Sequence, residues 1–222
     1  MLAWDFSFGG GFRSMNAFLR KNWFTLAVSV ILLAMIASFA YKLWFGGASP
    51  AGHSLDKIKA APDFALHDLN GNPVTKADTN GKVRLFYFFY SSCPDVCQPT
   101  SFLLSQVQDQ LKKEGLFDSK AQIYSVTIDP TVDTPQKLTQ FGAQFHNDPS
   151  GWKFLRGEEK QTADLAEKFG IMVVKEKDGT FTHSNAILLV DKKGDLRSYY
   201  TVDVQTTAEQ IVKDVKTLAK EK

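Results

Sequence analysis

The only two cysteines of this 222-residue chain, Cys93 and Cys97, lie four positions apart directly after an apolar strand-like segment. That segment, Leu85–Phe89, is a continuous apolar run, which predicts a strand buried on both faces. Apolar residues at helical spacing follow in Ser101–Lys113. The cysteines are therefore predicted to lie where a central strand ends and a helix begins. A helix N-terminus favours thiolate over thiol, and thiolate is both the nucleophile and the metal ligand.

Pro99 limits where that helix can start, because proline is tolerated in the first turn of a helix but not in its interior. We therefore expect Cys93 to lie in the loop and Cys97 at the entry to the helix. Both sulfurs can then turn toward one point. A disulfide between them would close a very short loop, which contributes little stability. A redox or metal-binding role is therefore favoured over a structural disulfide.

Strand-like and helix-like segments alternate through residues 62–222 and predict one α/β domain with a mixed sheet. The domain opens with a predicted N-terminal β-hairpin, in which Phe64–Leu69 and Pro73–Thr75 flank an Asn-Gly turn. Thr134 is predicted to cap a helix that begins at Pro135. The further predicted strands are Val83–Tyr90, Ile123–Ile128, Trp152–Leu155, Ile171–Val174, Phe181–Val190 and Leu196–Val202, and the further predicted helices are Thr162–Phe169 and a terminal one from Thr206.

The N-terminal part of the chain holds a long uncharged segment, Phe24–Tyr41, which extends to Phe45 with a single charged interruption. Its length is close to the ~20 residues that a helix needs to cross a bilayer core. A cleaved signal peptide is the alternative, but the apolar run exceeds the ~7–15 residues of a typical signal core. We expect one transmembrane helix at residues 24–45, preceded by a tail at 1–23 and followed by a flexible tether at 46–61.

The distribution of charge predicts the orientation of this segment and excludes one class of function. Of the formal net charge of +2, the first 45 residues carry +3 and the remainder carries −1. Most of the basic residues precede the apolar run, so the positive-inside rule places the N-terminus in the cytoplasm and the globular domain outside a cell membrane. A near-neutral globular part offers no basic face, and nucleic acid is therefore excluded as a partner.

Two thiolates are soft ligands that suit Cu(I) or Zn(II), and a stable site needs a third ligand, for which the four histidines are candidates. His53 falls in the tether and His146 in a polar loop, where exposure to solvent is expected. His67, in the opening hairpin, is a weak candidate. His183 precedes a strand that would neighbour the cysteine strand in a thioredoxin-like sheet, although an ordinary strand-end histidine fits the pattern as well. Three ligands favour a trigonal copper site over a closed zinc site. Met172 is predicted to be strand core.

Three linked motifs stand in order along the chain. They are Cys93-Pro94-Asp95-Val96-Cys97, then Asp129-Pro130 with Asp133-Thr134-Pro135, and His183-Ser184 before Ala186–Asp191. These motifs resemble those of the Sco/SenC family, whose members are membrane-anchored copper proteins with a thioredoxin fold. Their order and spacing match along nearly the whole chain from Pro62 onward, and the single predicted anchor matches as well. The resemblance implies a thioredoxin-like fold for residues 62–222.

The resemblance also implies a ligand set and partners. Cys93, Cys97 and His183 would bind one copper ion, as Cu(I) or Cu(II). The copper would be delivered to the binuclear centre of cytochrome c oxidase subunit II or of a related copper oxidase, or the dithiol would reduce that subunit's cysteines. Other copper chaperones or thiol reductases are then further expected partners. Asp95 and Asp133 match family positions too, where a direct part in transfer and a turn- or cap-forming role both remain open.

Three positions depart from the pattern of many family members. Gln98 stands where a proline often follows the second cysteine, and Ser92 replaces a histidine often found before the first cysteine. Thr182 replaces a frequent aspartate before His183, which would leave the imidazole without a family-typical partner. These departures are expected to affect affinity and redox potential more than the ligand set.

Two other classes of function fit the cysteine pair. A membrane-tethered thiol–disulfide oxidoreductase would use one cysteine to attack a partner's disulfide and the other to resolve the mixed disulfide, making this protein an enzyme. A peroxidase of related fold is a weaker hypothesis, because it would need a low-pKa cysteine in a peroxide pocket, and no residue of the sequence separates such a cysteine from a metal ligand. His183 distinguishes metal binding from disulfide exchange, since metal binding requires a third ligand and disulfide exchange does not.

Overall fold

The computed structural model describes residues 22–25, 27–38, 55–203 and 205–221. It divides into two units, residues 1–54 and 55–222. In the first unit the described residues 22–25 and 27–38 are helical and are together called α1. Within the described ranges, no helix is both apolar enough and long enough to cross a membrane. The transmembrane helix predicted for residues 24–45 is thus not found there, and residues 39–45, like most of the predicted tail and tether, lie outside the described residues.

The described strands of the second unit are β1 Lys59–Ala60, β2 Ala65–His67, β3 Pro73–Thr75, β4 Val83–Phe89, β5 Ala121–Thr127, β6 Trp152–Leu155, β7 Val173–Lys175, β8 Phe181–His183, β9 Ala186–Val190 and β10 Asp195–Thr201. Six of them form a mixed sheet in the order β1-β10-β9-β4-β5-β6, which confirms the predicted α/β class. Strands β4, β5 and β6 are parallel, whereas β9 runs antiparallel to β4, and β10 to β9. Two small hairpins, β2–β3 and β7–β8, lie apart from this sheet.

Five further helices connect or follow these strands, and most of their ends carry the expected capping residues. Thr134 accepts a hydrogen bond from the Lys137 backbone and Pro135 opens the next helix, as predicted. Gly170 ends another helix in the left-handed conformation, with φ of 90°. The helices are α2 Lys76–Thr79, α3 Cys97–Lys113, α4 Pro135–Gln144, α5 Glu159–Phe169 and α6 Ala208–Lys220.

The central strand β4 is buried along all seven residues, as its apolar run predicts. Successive side chains of a strand point to opposite faces of the sheet. On one face Phe86 packs against Phe169 of α5, with ring centroids 5.1 Å apart, and stacks on Tyr124 of β5 at 5.2 Å. On the other face Phe89 packs against Phe141 of α4 at 5.2 Å. Helices therefore cover β4 on both sides, and its carboxyl end emerges at one edge of the core.

The long strand predicted at Phe181–Val190 is wrong, because two strands occupy this segment. Strand β8 pairs with β7 outside the main sheet, and only β9 pairs with β4. The break falls at Ser184 and Asn185, whose hydrogen bonds go to loops and helices instead of a ladder. The Ser184 amide donates to the Met172 carbonyl at 3.0 Å, and the Asn185 side chain bonds to Thr100 of α3 at 3.1 Å. This break turns the end of β8 away from the sheet.

Smaller differences from the sequence predictions have local causes. Met172 is 56% exposed and not part of the core, because it precedes β7 in a hairpin outside the main sheet. The short helix α2 was not predicted, and it forms because Thr75 and Asp78 make a reciprocal capping box. Helix α3 begins four residues earlier than its apolar pattern indicates, at Cys97.

We expect Phe86→Ala to lower the free energy of unfolding by about 3–5 kcal/mol, because it removes a buried ring from the centre of the core. Phe102→Ala is the matched control, since Phe102 is 59% exposed on α3 and its loss should change stability by only about 0.5 kcal/mol. Urea denaturation of both variants measures the difference. Equal losses in the two would contradict the position of Phe86 in the core.

Candidate metal centre

Strand β4 and helix α3 place the two cysteines as predicted, one in the loop and one at the helix entry. After β4 ends, the Cys93 amide donates to the Tyr90 carbonyl at 3.2 Å and forms a turn. Cys97 is the first residue of α3, and Pro99 occupies its first turn. The two cysteines are not joined by a disulfide. Cys97 is fully buried and Cys93 is 5% exposed, so Cys93 is the sulfur nearer to solvent.

The end of strand β8 brings His183 to the same place. Its Nε2 lies 3.6 Å from the Cys97 Sγ. The ligand atoms of Cys93, Cys97 and His183 all lie within 4.8 Å of one another. Bonds of about 2.3 Å to sulfur and about 2.0 Å to nitrogen around a planar three-coordinate ion would separate the ligand atoms by roughly 3.7–4.0 Å. The three side chains therefore stand close to the spacing that one metal ion requires.

Two contacts orient the imidazole of His183. Its Nδ1 lies 3.2 Å from the Ser184 carbonyl oxygen, which can only accept a hydrogen bond, so Nδ1 carries the proton. A ring that binds a metal is neutral, and with the proton on Nδ1 it would offer the lone pair of Nε2 on the side of Cys97. The Tyr90 ring packs edge-on against the imidazole at 6.0 Å. The main chain thus supplies the partner that the Thr182 position lacks, while the Thr182 hydroxyl donates to Glu176 at 2.9 Å.

The two thiols share one proton unequally. A hydrogen bond from the Cys97 thiol lowers the pKa of Cys93 to about 3, with further help from His183 and from the backbone amides of Asp95 and Cys97, against the opposing effect of burial. The same hydrogen bond, together with burial, raises the pKa of Cys97. The apo pair therefore consists of a Cys93 thiolate and a Cys97 thiol. The thiolate expected from the helix N-terminus is found at Cys93 alone.

Asp133 supports the cysteine loop and does not join the ligand cluster. Its fully buried carboxylate accepts hydrogen bonds from the Ser91 amide at 3.0 Å, the Ser91 hydroxyl at 2.5 Å and the Thr127 hydroxyl at 2.6 Å. Arg156 binds the Asp133 carbonyl at 2.7 Å from the other side. These bonds tie the loop after β4 to the loop after β5. Asp95 is exposed, and its backbone amide contributes to the site through Cys93.

The other two histidines that the structure describes, His67 and His146, do not join the cysteine cluster. His67 is exposed on β2, where its backbone pairs with Arg156. His146 is exposed after α4 in the left-handed conformation, with φ of 51°. Among the residues that the structure describes, the cluster of Cys93, Cys97 and His183 is the one found with metal-binding geometry. His53 lies outside the described residues.

A family model described as SCO1/SenC matches residues 53–220, which is most of the chain and all of the cluster. This chain belongs to the SCO1/SenC family. A SCO2-like protein of Rickettsia prowazekii is 33% identical over 159 residues, which cover 67% of this chain and 73% of that relative. Membership in the SCO1/SenC family agrees with the resemblance seen in the three sequence motifs.

Solved structures of other SCO1/SenC proteins share the fold. A family lipoprotein from Bacillus anthracis is 28% identical with a TM-score of 0.68, over 73% of this chain and 96% of that one. Bradyrhizobium japonicum ScoI, solved with copper bound, is 28% identical with a TM-score of 0.61, over 72% and 99%. BsSco, a member of the Sco family of cytochrome c oxidase assembly proteins in which a disulfide switch was identified, is 26% identical with a TM-score of 0.67, over 75% and 98%.

Two sulfurs and one imidazole nitrogen form a soft three-donor set, and this set suits copper better than the hard cations that prefer oxygen. A closed structural zinc site has four ligands, whereas the described residues supply three donors here. Copper is therefore the metal that the donor set and the family membership together support.

Asp133→Ala is expected to lower the free energy of unfolding by about 2–4 kcal/mol, because it leaves the donors of Ser91 and Thr127 without an acceptor in the core. Thermal unfolding of the apoprotein measures this loss. The control is Asp95→Ala, which removes an exposed carboxylate and should leave the melting temperature nearly unchanged. An Asp133→Ala variant as stable as the Asp95→Ala variant would argue against the support role.

Because Cys93 has a pKa of about 3, its alkylation rate should change little between pH 5 and pH 8. An ordinary thiol would lose roughly tenfold in rate for each pH unit below its pKa of about 8.5. Cys97→Ala removes the main hydrogen-bond donor, so its rate should begin to fall at a higher pH than in the unsubstituted protein. Iodoacetamide labelling of the reduced apoprotein at several pH values, followed by mass spectrometry, measures the Cys93 alkylation rate in the unsubstituted protein and in the variant. A tenfold fall per pH unit in the unsubstituted protein would contradict the shared proton.

Proposed function

We propose that this protein is a copper metallochaperone that binds one copper ion through Cys93, Cys97 and His183. We further propose that it delivers this ion during assembly of the binuclear copper centre of cytochrome c oxidase subunit II or of a related copper oxidase. The observation that carries the proposal is the position of His183, whose Nε2 stands 3.6 Å from the Cys97 sulfur while its Nδ1 is occupied by a backbone carbonyl. Disulfide chemistry alone would not need this imidazole.

The differing burial of the three donors supports transfer by ligand exchange. Cys97 is fully buried and would bind the ion from the protein interior, whereas Cys93 and the half-buried His183 lie closer to solvent. A three-donor site leaves room for an incoming ligand from an acceptor protein, which could replace the outer donors before the inner one. The ion is thus cargo that can leave by the side facing solvent, and the same route would admit copper from a donor chaperone.

We propose that residues 24–45 anchor the protein in a cell membrane, with residues 1–23 in the cytoplasm. The support is the uncharged run and the basic residues that precede it. Residues 46–61 would then tether the metal-binding domain on the outer side of the membrane. This arrangement would hold the domain near a membrane-bound acceptor.

A second candidate function is a thiol–disulfide oxidoreductase, and the charge state of the cysteine pair favours it. The Cys93 thiolate would attack one sulfur of a partner's disulfide, forming a mixed disulfide and releasing the partner's other sulfur as a thiolate. Cys97, once deprotonated, would attack Cys93 and release the partner's second thiolate. The partner would gain two electrons and this protein would end as the Cys93–Cys97 disulfide. The buried thiol of Cys97 makes the second step the slower one.

His183→Ala distinguishes the two functions, because metal binding needs the imidazole as a third ligand, whereas disulfide exchange requires only the two cysteines. We expect the variant to lose stoichiometric copper binding while its reduced cysteines still exchange with a disulfide reagent. His67→Ala is the matched control, since His67 is an exposed histidine outside the cluster, and it should bind one copper per chain. Metal analysis after removal of loosely bound copper measures the stoichiometry. Unchanged copper binding in His183→Ala would reject the three-ligand site.

A further inference from the structure

Asn185 attaches the segment that carries His183 to the rest of the domain. It stands between strand β8, which ends at His183 outside the main sheet, and strand β9, which begins at Ala186 within it. The Asn185 carbonyl accepts a hydrogen bond from the Val202 amide at 3.3 Å, just after β10. Because the β7–β8 hairpin lies apart from the main sheet, the position of His183 depends on how Asn185 is held.

The side chain of Asn185 is bonded to the helix that begins with Cys97. The Thr100 hydroxyl lies 3.1 Å from the Asn185 side-chain oxygen and 2.8 Å from the Val96 carbonyl, so its one proton serves both acceptors. Thr100 is fully buried, which shelters this bond from competing water. Residues three apart lie on the same face of a helix, so Thr100 stands one turn beyond Cys97 on the face that carries this cysteine.

Two contacts therefore join the His183 segment to the first turn of α3. The His183 Nε2 is 3.6 Å from the Cys97 Sγ, and the Asn185 side chain is 3.1 Å from the Thr100 hydroxyl. The first contact joins two ligand atoms, and a metal ion bound between them would replace it. The second contact involves no ligand atom, so it can keep the same geometry with and without a metal ion. A bond of this kind holds a ligand in place before the ion arrives, and a preorganised ligand loses less conformational freedom on binding.

We propose that Asn185 is a positioning residue that keeps His183 within reach of the cysteines through its hydrogen bond with Thr100. Without this bond, the apoprotein would spend part of its time with the imidazole away from the cysteines. The apparent affinity for copper would then fall in proportion to the fraction of molecules that hold the imidazole in place. The inference rests on metal binding at the cluster, as proposed above, but not on delivery of the metal to any acceptor.

Asn185→Ala and Thr100→Val each remove one partner of the bond. In either apoprotein, the nuclear Overhauser effect between the His183 ring and the Cys97 methylene protons should weaken, because the imidazole is no longer held in one place. Affinity for Cu(I), measured by competition with a chelator, should fall by about threefold to tenfold, which is the equivalent of one neutral hydrogen bond.

Two further variants separate the bond from other effects of these substitutions. The double variant should bind Cu(I) no more weakly than the weaker of the single variants, because both changes remove the same bond. Thr100→Ser keeps the hydroxyl, so its Cu(I) affinity and its nuclear Overhauser effect should match those of the unsubstituted protein. Losses of affinity that add in the double variant would show that the two residues act separately, and would overturn the proposal.

Thr162→Val is the matched control. Thr162 is also a fully buried helical threonine, and its hydroxyl donates to the Glu159 carbonyl at 3.1 Å within α5. Its substitution should leave the nuclear Overhauser effect and the copper affinity unchanged, even where it lowers the melting temperature as much as Thr100→Val does.

If Asn185→Ala and Thr100→Val change the melting temperature alone, the bond has only a structural role and the proposal fails. If the unsubstituted protein binds no copper, the proposed function fails. The nuclear Overhauser effect is measured without metal, so it would still decide whether Asn185 positions His183.

Discussion

The antiparallel pairing of β9 with β4 is the interaction on which the site depends. Tyr87 pairs with Ile187 in this ladder, so the start of β9 lies beside the carboxyl end of β4. The residues just before β9 and just after β4 consequently emerge at the same edge of the sheet. His183 stands 86 positions after Cys97 in the chain, yet this pairing brings the two side chains together. Without that register, the donors would have no reason to meet.

Around this edge of the sheet, polar groups set the position of the cysteine loop, the tautomer of His183 and the protonation of each cysteine. Asp133 fixes the loop that leads to the cysteines, and the Ser184 carbonyl fixes the tautomer of His183. One proton lies between the two cysteines and stays on Cys97, which is buried, so Cys93 is the thiolate on the side nearer to solvent. The apo site is thus a soft, negatively charged pocket that needs the loss of only one proton to receive a cation.

Local patterns in the sequence predict most of the fold and the positions of the two cysteines in it. The apolar run of β4, the Thr134 cap and the placement of Pro99 all depend on near neighbours, and each is found as expected. The break between β8 and β9 could not be predicted, because the hydrogen bonds of Ser184 and Asn185 go to distant partners. For the same reason the residues alone left the role of His183 open.

The carbonyl that holds His183 belongs to the main chain, and this has an evolutionary consequence. A supporting carboxylate can be lost through a single codon change, whereas every amino acid at position 184 carries a carbonyl group. Most substitutions at position 184 would therefore leave the orientation of the imidazole unchanged, provided that the backbone between β8 and β9 keeps its conformation. Position 182 is therefore not needed to hold the imidazole, and a residue without a carboxylate there, such as Thr182, need not disturb the geometry of the centre.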